Sequence, residues 1–172
     1  MQISMQQIGT INSPFCSLVN MPVQPCGAKD TLATIELYEE YERGLKDLEG
    51  FSHIYLLYYF HKVDRCQLEV IPFNDHTNTP RGVFATRTPM HPNHIGLSVV
   101  ELVDVFDNKV VVRGIDVLDQ TPLLDIKPYV QSFDIINSPV SNGWVYASKE
   151  AIASKRSDKR FVTDTTTTAL EQ

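Results

Sequence analysis

Arg87, His91, Asn93 and His94 fall within eight positions of one segment, RGVFATRTPMHPNHIGLSVV at 81–100, which opens and closes like a buried strand around a proline-broken middle. A guanidinium can fork onto a carboxylate or phosphate, and an amide offers both a donor and an acceptor. Pro89 and Pro92 fix their own φ and push Thr88 and His91 toward extended backbone, so the loop is stiff enough to hold donors in place. A turn-rich connection with solvated cations is the plainer alternative. Three other groupings carry comparable chemistry. His61 and Lys62 end the aromatic run FSHIYLLYYF of 51–60, where an ordinary polar strand end would look the same. In IDVLDQ at 115–120, Asp116 continues the side-chain face of Val110, Val112 and Gly114, so alternation aims a carboxylate where its neighbours are apolar. Such a charge needs donors, unless it simply caps the following turn. In LDIKPY at 124–129, Asp125, Lys127 and Tyr129 alternate onto one face, as a reactive set or as an exposed polar face.

The elements that must position these groups are short and extended. Strands are expected at 7–13, 32–37, 51–60, 67–71 and 95–106, with Asp107-Asn108 turning the chain into KVVVRGIDV, since both residues tolerate positive φ. Residues 38–48 predict a short amphipathic helix with Tyr41, Leu45 and Leu48 along one side, ended by Gly50. Trp144-Val145-Tyr146 offers a last strand, and residues 149–160 (KEAIASKRSDKR) a basic helical or disordered tail, read as a solvated terminus. The expected fold is mainly β: a single-domain β-barrel with one or two short helices and a short C-terminal extension. A doubly wound α/β sheet needs repeated long helices, which this pattern lacks.

Composition narrows the chemistry. The 172 residues, 42% hydrophobic and 21% charged, suit one globular domain. A net charge of −6 argues against a broadly basic binder of DNA or RNA, though a local basic patch stays open. Cys16, Cys26 and Cys66 lack CxxC or zinc-finger spacing, so neither a disulfide framework nor a metal site is expected; Cys66 is expected to pack as a small apolar side chain. The start MQISMQQIGT lacks the pattern of a secretory signal, and the most apolar window is about half the ~20 residues a spanning helix needs, so a reduced, cytoplasmic setting is expected. No GxG occurs among the eight glycines, so a nucleotide-like ligand must be held without the usual Gly-rich loop.

The residues also resemble a known family. GVFATRTPMHPNHIGLSVVEL is similar to the signature of the TsaA-like family, whose best-characterised members are the TrmO tRNA methyltransferases. IGTINSPF, PVQP at 22–25, GLKDLEGFSHIYLLYYFH at 44–61 and GIDVLDQTPLLDIKPYV at 114–130 follow in the family's order. The resemblance implies a TsaA-like barrel over 1–140, with 141–172 as the extension. It implies S-adenosyl-L-methionine bound by a β-barrel, in a homodimer with sites near the subunit interface. Cofactor contacts would fall on Pro22, Val23, Gln24, His61, Lys62, Arg87, Leu97, Asp116, Val117, Leu118, Asp119 and Gln120. Arg87 would pair with the methionine carboxylate, an acidic residue of 116–119 would accept ribose or amino donors, and backbone near Leu97 and Leu118 would read the adenine edge.

The implied reaction is methylation of N6 of the threonylcarbamoyl-modified adenosine beside a tRNA anticodon. That nitrogen is delocalised into purine and urea, so a base is expected; Asp125 and Tyr129 are the candidates, with Lys127 for the threonyl carboxylate or a phosphate and His91 and Asn93 facing the acceptor. Met90-His91 stands where the family usually has a residue followed by arginine, His94 replaces a proline, and Gln120 replaces a glycine. A titrating imidazole for a permanent cation opens the acceptor's identity, so a small molecule or another modified nucleoside remains in view, as does a non-enzymatic cofactor sensor.

Overall fold

Alternating burial shapes the barrel wall. In β3 (His53–Tyr59) the side chains of Ile54, Leu56 and Tyr58 are buried, while Tyr55, Leu57 and Tyr59 face outward. β6 (Ile95–Phe106) turns Gly96, Ser98 and Val100 inward and Leu97 and Val99 outward. β1 (Gly9–Asn12), β2 (Leu32–Leu37), β7 (Lys109–Arg113) and β8 (Thr121–Pro128) complete the wall, contributing Ile11, Ile35, Val110, Val112 and Leu123 to one core. A sheet with one continuous apolar face can bury it by closing on itself.

The computed structural model, which describes residues 2–73 and 77–158, shows that closure in the order β1-β2-β7-β6-β3-β8. Every neighbouring pair is antiparallel. The antiparallel pairing has a consequence for function. The ends of β1, β3 and β7 and the starts of β2, β6 and β8 all lie at one end of the barrel. The three excursions 13–31, 60–94 and 114–120 therefore emerge together, and they carry most of the residues expected to bind a ligand.

The longest excursion has its own small core. Val63, Val70, Val83 and Met90 pack together under Phe60, and β4 (Glu69–Val70) pairs with β5 (Arg81–Gly82) outside the barrel. Met90 is 2% exposed, so it pins the proline loop from beneath. The strand expected at 67–71 thus shrinks to a two-residue arm of this side sheet, and 81–100 opens on β5 and a 3-10 turn (Val83–Ala85) rather than on a long strand.

Other expectations are corrected. Residues 38–48 form 3-10 turns, Glu39–Leu45 and Leu48–Gly50, not an α-helix; Leu45 is nonetheless buried, with Tyr41 and Leu48 packed against the core. The chain at 144–146 is no strand: Trp144 lies in a turn and short α2 (Lys149–Ala153) follows. An unforeseen α1 (Gln131–Asp134) follows β8. Cys66 is exposed rather than packed. No helix among the described residues is long and apolar enough to cross a membrane.

Candidate functional site

At the loop-bearing end the barrel interior turns polar. Ser98, 3% exposed, and Thr121, 2% exposed, are the buried polar side chains there. Tyr58 Oη and Ser98 Oγ are 3.0 Å apart, and Ser98 Oγ donates to Asp116 Oδ1 at 3.1 Å. With the Ser98 proton committed to Asp116, the Tyr58 hydroxyl donates to Ser98. A chain Tyr58→Ser98→Asp116 thus runs from the core to the mouth.

Asp116 finds its donor by a route that strand alternation misdescribes. Val110 and Val112 do point inward, but the strand stops at Arg113, and Gly114 takes φ +86°, which resets the phase. Ile115 and Val117 then become the buried pair, leaving Asp116 half-buried between them. Burial pushes its carboxyl up to about 6, against the downward pull of the Ser98 hydrogen bond, its own backbone N–H and the Arg87 charge. Burial, then the Asp116 charge, raises the Tyr58 phenol well above its ordinary value, while Ser98 and Arg87 pull it down. Arg87 is itself exposed and makes no ion pair within 4 Å among the described residues, so its guanidinium is open to an anion.

The neighbouring turn is tied to the first excursion. Ser13 N–H donates to Asp119 Oδ1 at 3.0 Å, Ser13 Oγ donates to the Val117 carbonyl at 2.6 Å, and Asp119 N–H donates to the Phe15 carbonyl at 2.8 Å. Thr121 Oγ1 donates to the Leu118 carbonyl at 2.7 Å and lies 3.4 Å from His61 Nδ1. His61 therefore sits beside the 118–121 turn, its imidazole held below the usual range by burial and then by Lys62, against a Tyr59 backbone bond. The fold accordingly brings Arg87, Asp116–Gln120 and His61 to one mouth. Pro22, Val23 and Gln24 precede the Pro25–Gly27 turn, which touches β6.

Gln120 occupies that turn at φ +60°, a left-handed conformation that glycine adopts without strain. Its amide donates to Asn12 Oδ1 at 2.7 Å, offsetting part of the strain. Gln120→Gly is expected to stabilise the fold by about 0.5 kcal/mol, the left-handed penalty outweighing glycine's chain entropy. Urea unfolding measures it, and a loss of stability would give the Asn12 bond the larger weight.

The histidines of the proline loop do structural work. His91 Nε2 donates to the Thr86 carbonyl at 3.1 Å, and His94 Nδ1 donates to the Pro89 carbonyl at 2.9 Å, with His94 at φ +50°. Asn93 is exposed. His91 thus staples the loop that carries Arg87, its ring set edge-to-face with Phe84 at 5.8 Å between centroids.

Asp125, Lys127, Tyr129 and Leu97 stand apart from this mouth within one chain. Leu57 of β3 is flanked by Leu97 on one side and Asp125 on the other, all in the outward row. Asp125 Oδ2 pairs with Lys127 Nζ at 2.8 Å and Asp125 Oδ1 accepts the Ile126 N–H, while Tyr129 packs against Tyr55 with ring centroids 5.8 Å apart. A shallow depression of about 390 Å³, lined by Met5, Ile8, Tyr41, Leu57, Ile95 and Asp125, lies on the same outer wall. The side-chain set Tyr58, Ser98 and Thr121 escaped sequence reasoning. Its one signal was small polar residues at inward positions of apolar strands.

Comparison with known proteins supplies independent footing. Residues 10–135 match the family model of the tRNA-methyltransferase O N-terminal domain. The chain is 44% identical over 161 residues to a protein of Pyrococcus abyssi named a probable S-adenosyl-L-methionine-binding protein, covering 94% of this chain and 86% of that one. It is 34% identical over 134 residues to a Mus musculus tRNA (adenine(37)-N6)-methyltransferase, covering 75% of this chain and 31% of that protein. The crystal structure of TrmO from Pseudomonas aeruginosa superposes with a TM-score of 0.69 at 37% identity, covering 83% of this chain and 62% of that one. The chain therefore spans about three fifths of the TrmO structure and a third of the mouse enzyme.

Proposed function

The chain belongs to the tRNA-methyltransferase O N-terminal domain family, and we propose that it is an S-adenosyl-L-methionine-dependent methyltransferase acting on N6 of the threonylcarbamoyl-modified adenosine beside a tRNA anticodon. The observation that carries the reading is the pairing, at one mouth, of an enclosed carboxyl on Asp116 with an exposed guanidinium on Arg87. The donor presents a sulfonium, an ammonium, ribose hydroxyls and a carboxylate, so it asks for such a pair. Bound there, it supplies an electrophilic methyl group on sulfur.

Asp116, held by Ser98, accepts from cationic or hydroxyl donors. Arg87 forks onto the donor's carboxylate, with its loop stapled by His91 and pinned by Met90. Backbone groups of 22–24 and 117–120 frame the remaining edges. His61, biased toward its neutral form, adds no competing cation beside the sulfonium.

The acceptor chemistry is assigned to the outer wall. Asp125 is the base that takes the N6 proton as the N–C bond forms and the C–S bond breaks, with Lys127 and Tyr129 orienting the acceptor. Within one subunit these residues face away from the mouth, so the assignment requires a homodimer. Leu97 is 52% exposed and Val99 and Tyr59 lie beside it, an apolar outer face suited to burial against a second copy.

Incubating the full chain with donor and tRNA carrying the modification, followed by nucleoside mass spectrometry, tests the acceptor. Appearance of the N6-methylated nucleoside supports it. Donor binding without product on tRNA would move the acceptor to a small molecule or reduce the protein to a sensor. Asp125→Asn is expected to lower turnover about 100-fold with donor affinity unchanged; full turnover with an unaltered pH profile removes Asp125 from the base role.

A further inference from the structure

We propose that residues 144–157 form a strap that sets the two donor-binding loops relative to one another, with Ser157 as its positioning residue; this rests on the donor site assigned above. The strap begins on the Arg87 loop. Trp144 Nε1 donates to the Ala85 carbonyl at 2.8 Å, and the Arg81 guanidinium lies 5.4 Å over the indole ring. α2 then starts at Ser148, whose Oγ accepts the Ala151 N–H at 3.2 Å, and packs on the Pro25–Gly27 turn. A Cβ added to Gly27 would stand 2.7 Å from the Ala153 carbonyl, so the helix end rests directly on that turn.

The strap ends on the first loop. Arg156 bridges Pro22 in antiparallel fashion. Ser157 makes four hydrogen bonds to residues 18–21. Its Oγ accepts the Met21 N–H at 2.8 Å and donates to the Leu18 carbonyl at 2.6 Å; its N–H donates to the Met21 carbonyl at 2.8 Å and its carbonyl accepts the Asn20 N–H at 2.9 Å. Residues 18–21 belong to no barrel strand, and Asn20 sits at φ +68°, so the local sequence alone does not fix them.

Ordering a free segment costs about 1–2 kcal/mol per residue. A strap present before the ligand arrives removes that cost from binding, which is how preorganisation raises affinity. The C-terminal stretch expected to be a solvated basic tail is, through residue 158, a brace across the mouth; residues 159–160 of that stretch lie outside the described residues. One brace touching both loops fixes their spacing, and the spacing decides whether Arg87 and the 22–24 backbone can hold one molecule together.

The test titrates S-adenosylhomocysteine into the 172-residue chain and three variants by calorimetry, and follows amide exchange and thermal unfolding without ligand. Ser157→Ala is expected to bind about tenfold more weakly, to speed exchange at Asn20 and Met21, and to leave the barrel's melting midpoint in place. Ser157→Thr keeps the hydroxyl and restores affinity; Trp144→Phe, which loses the indole N–H and part of the ring area under Arg81, weakens binding severalfold. Wild-type affinity in both Ser157→Ala and Trp144→Phe overturns the strap while leaving the donor site standing. A loss that threonine does not rescue, or that follows a fall in melting midpoint, makes the role merely structural and overturns it too. A wild-type chain that binds no nucleoside overturns the donor site itself.

Discussion

Asp116→Asn is expected to stabilise the ligand-free protein at neutral pH and to weaken its grip on S-adenosyl-L-methionine about 50-fold, the worth of a charge-assisted hydrogen bond in a desolvated site. The two effects share one cause. Burial raises the carboxyl from 3.8 to about 6, so between those values the folded protein holds a proton that the unfolded chain has released. Stability therefore falls as pH rises through that window, and above it the penalty amounts to about 3 kcal/mol. An amide carries no such charge and still accepts from Ser98, but its NH₂ wants an acceptor, so a net gain of about 2 kcal/mol is expected at pH 7.5 and none below pH 4. Urea unfolding at several pH values reads the difference. Donor affinity should climb with pH through about 6 in the wild type, where Asp116 ionises. His61 lies beside the same turn with its imidazole held below the usual range by burial and then by Lys62, and the asparagine variant isolates its share. Equal affinity of variant and wild type at pH 7.5 would exclude Asp116 from the site.

How much of this was legible depends on the distance over which each signal acts. Strand β6 carries its own alternation, so Ile95–Phe106 was readable from the residues themselves, as were β2 and the turn at Asp107, which takes φ +50°. The closed barrel followed from the spacing of such strands, and the family resemblance reached the loops at its mouth. The 3-10 turns at Glu39–Leu45 share with an α-helix the rough three-to-four residue recurrence, so the buried face of Leu45 was readable while the helix type was not. Asp116 was singled out from an alternation that Gly114 interrupts; a positive φ at one glycine inverts every inference made across it. The hydrogen bonds of Ser157 span more than 130 residues, and nothing near Ser157 in sequence marks Leu18 or Met21 as its partners. Asp125 lay in a recognisable motif, yet which side of the wall it serves depends on the neighbour that covers Leu57 and Leu97.

Gly96→Ala is expected to destabilise the fold by about 3–4 kcal/mol and to abolish donor binding, though the residue touches no ligand. Its Cβ would stand 2.1 Å from Tyr58 Cε2, with Cζ and Cδ2 at 2.5 and 2.6 Å. The ring cannot step aside. It is 4% exposed, its edge meets Phe60 at 5.4 Å between centroids, and its hydroxyl is fixed on Ser98. Overpacking alone costs about 1–3 kcal/mol, and moving the phenol breaks the chain that ends on Asp116, leaving a buried hydroxyl unpaired for about another 1–3 kcal/mol. Denaturant midpoints with an unchanged slope would measure the loss. Adding Tyr58→Leu to the alanine variant separates the two parts: the smaller side chain relieves the clash and recovers much of the stability, but Ser98 loses the donor that orients it and binding stays weak. If Gly96→Ala alone unfolded within 1 kcal/mol of the wild type, Tyr58 would have to be free to swing, and the rigid link from barrel core to Asp116 would not exist.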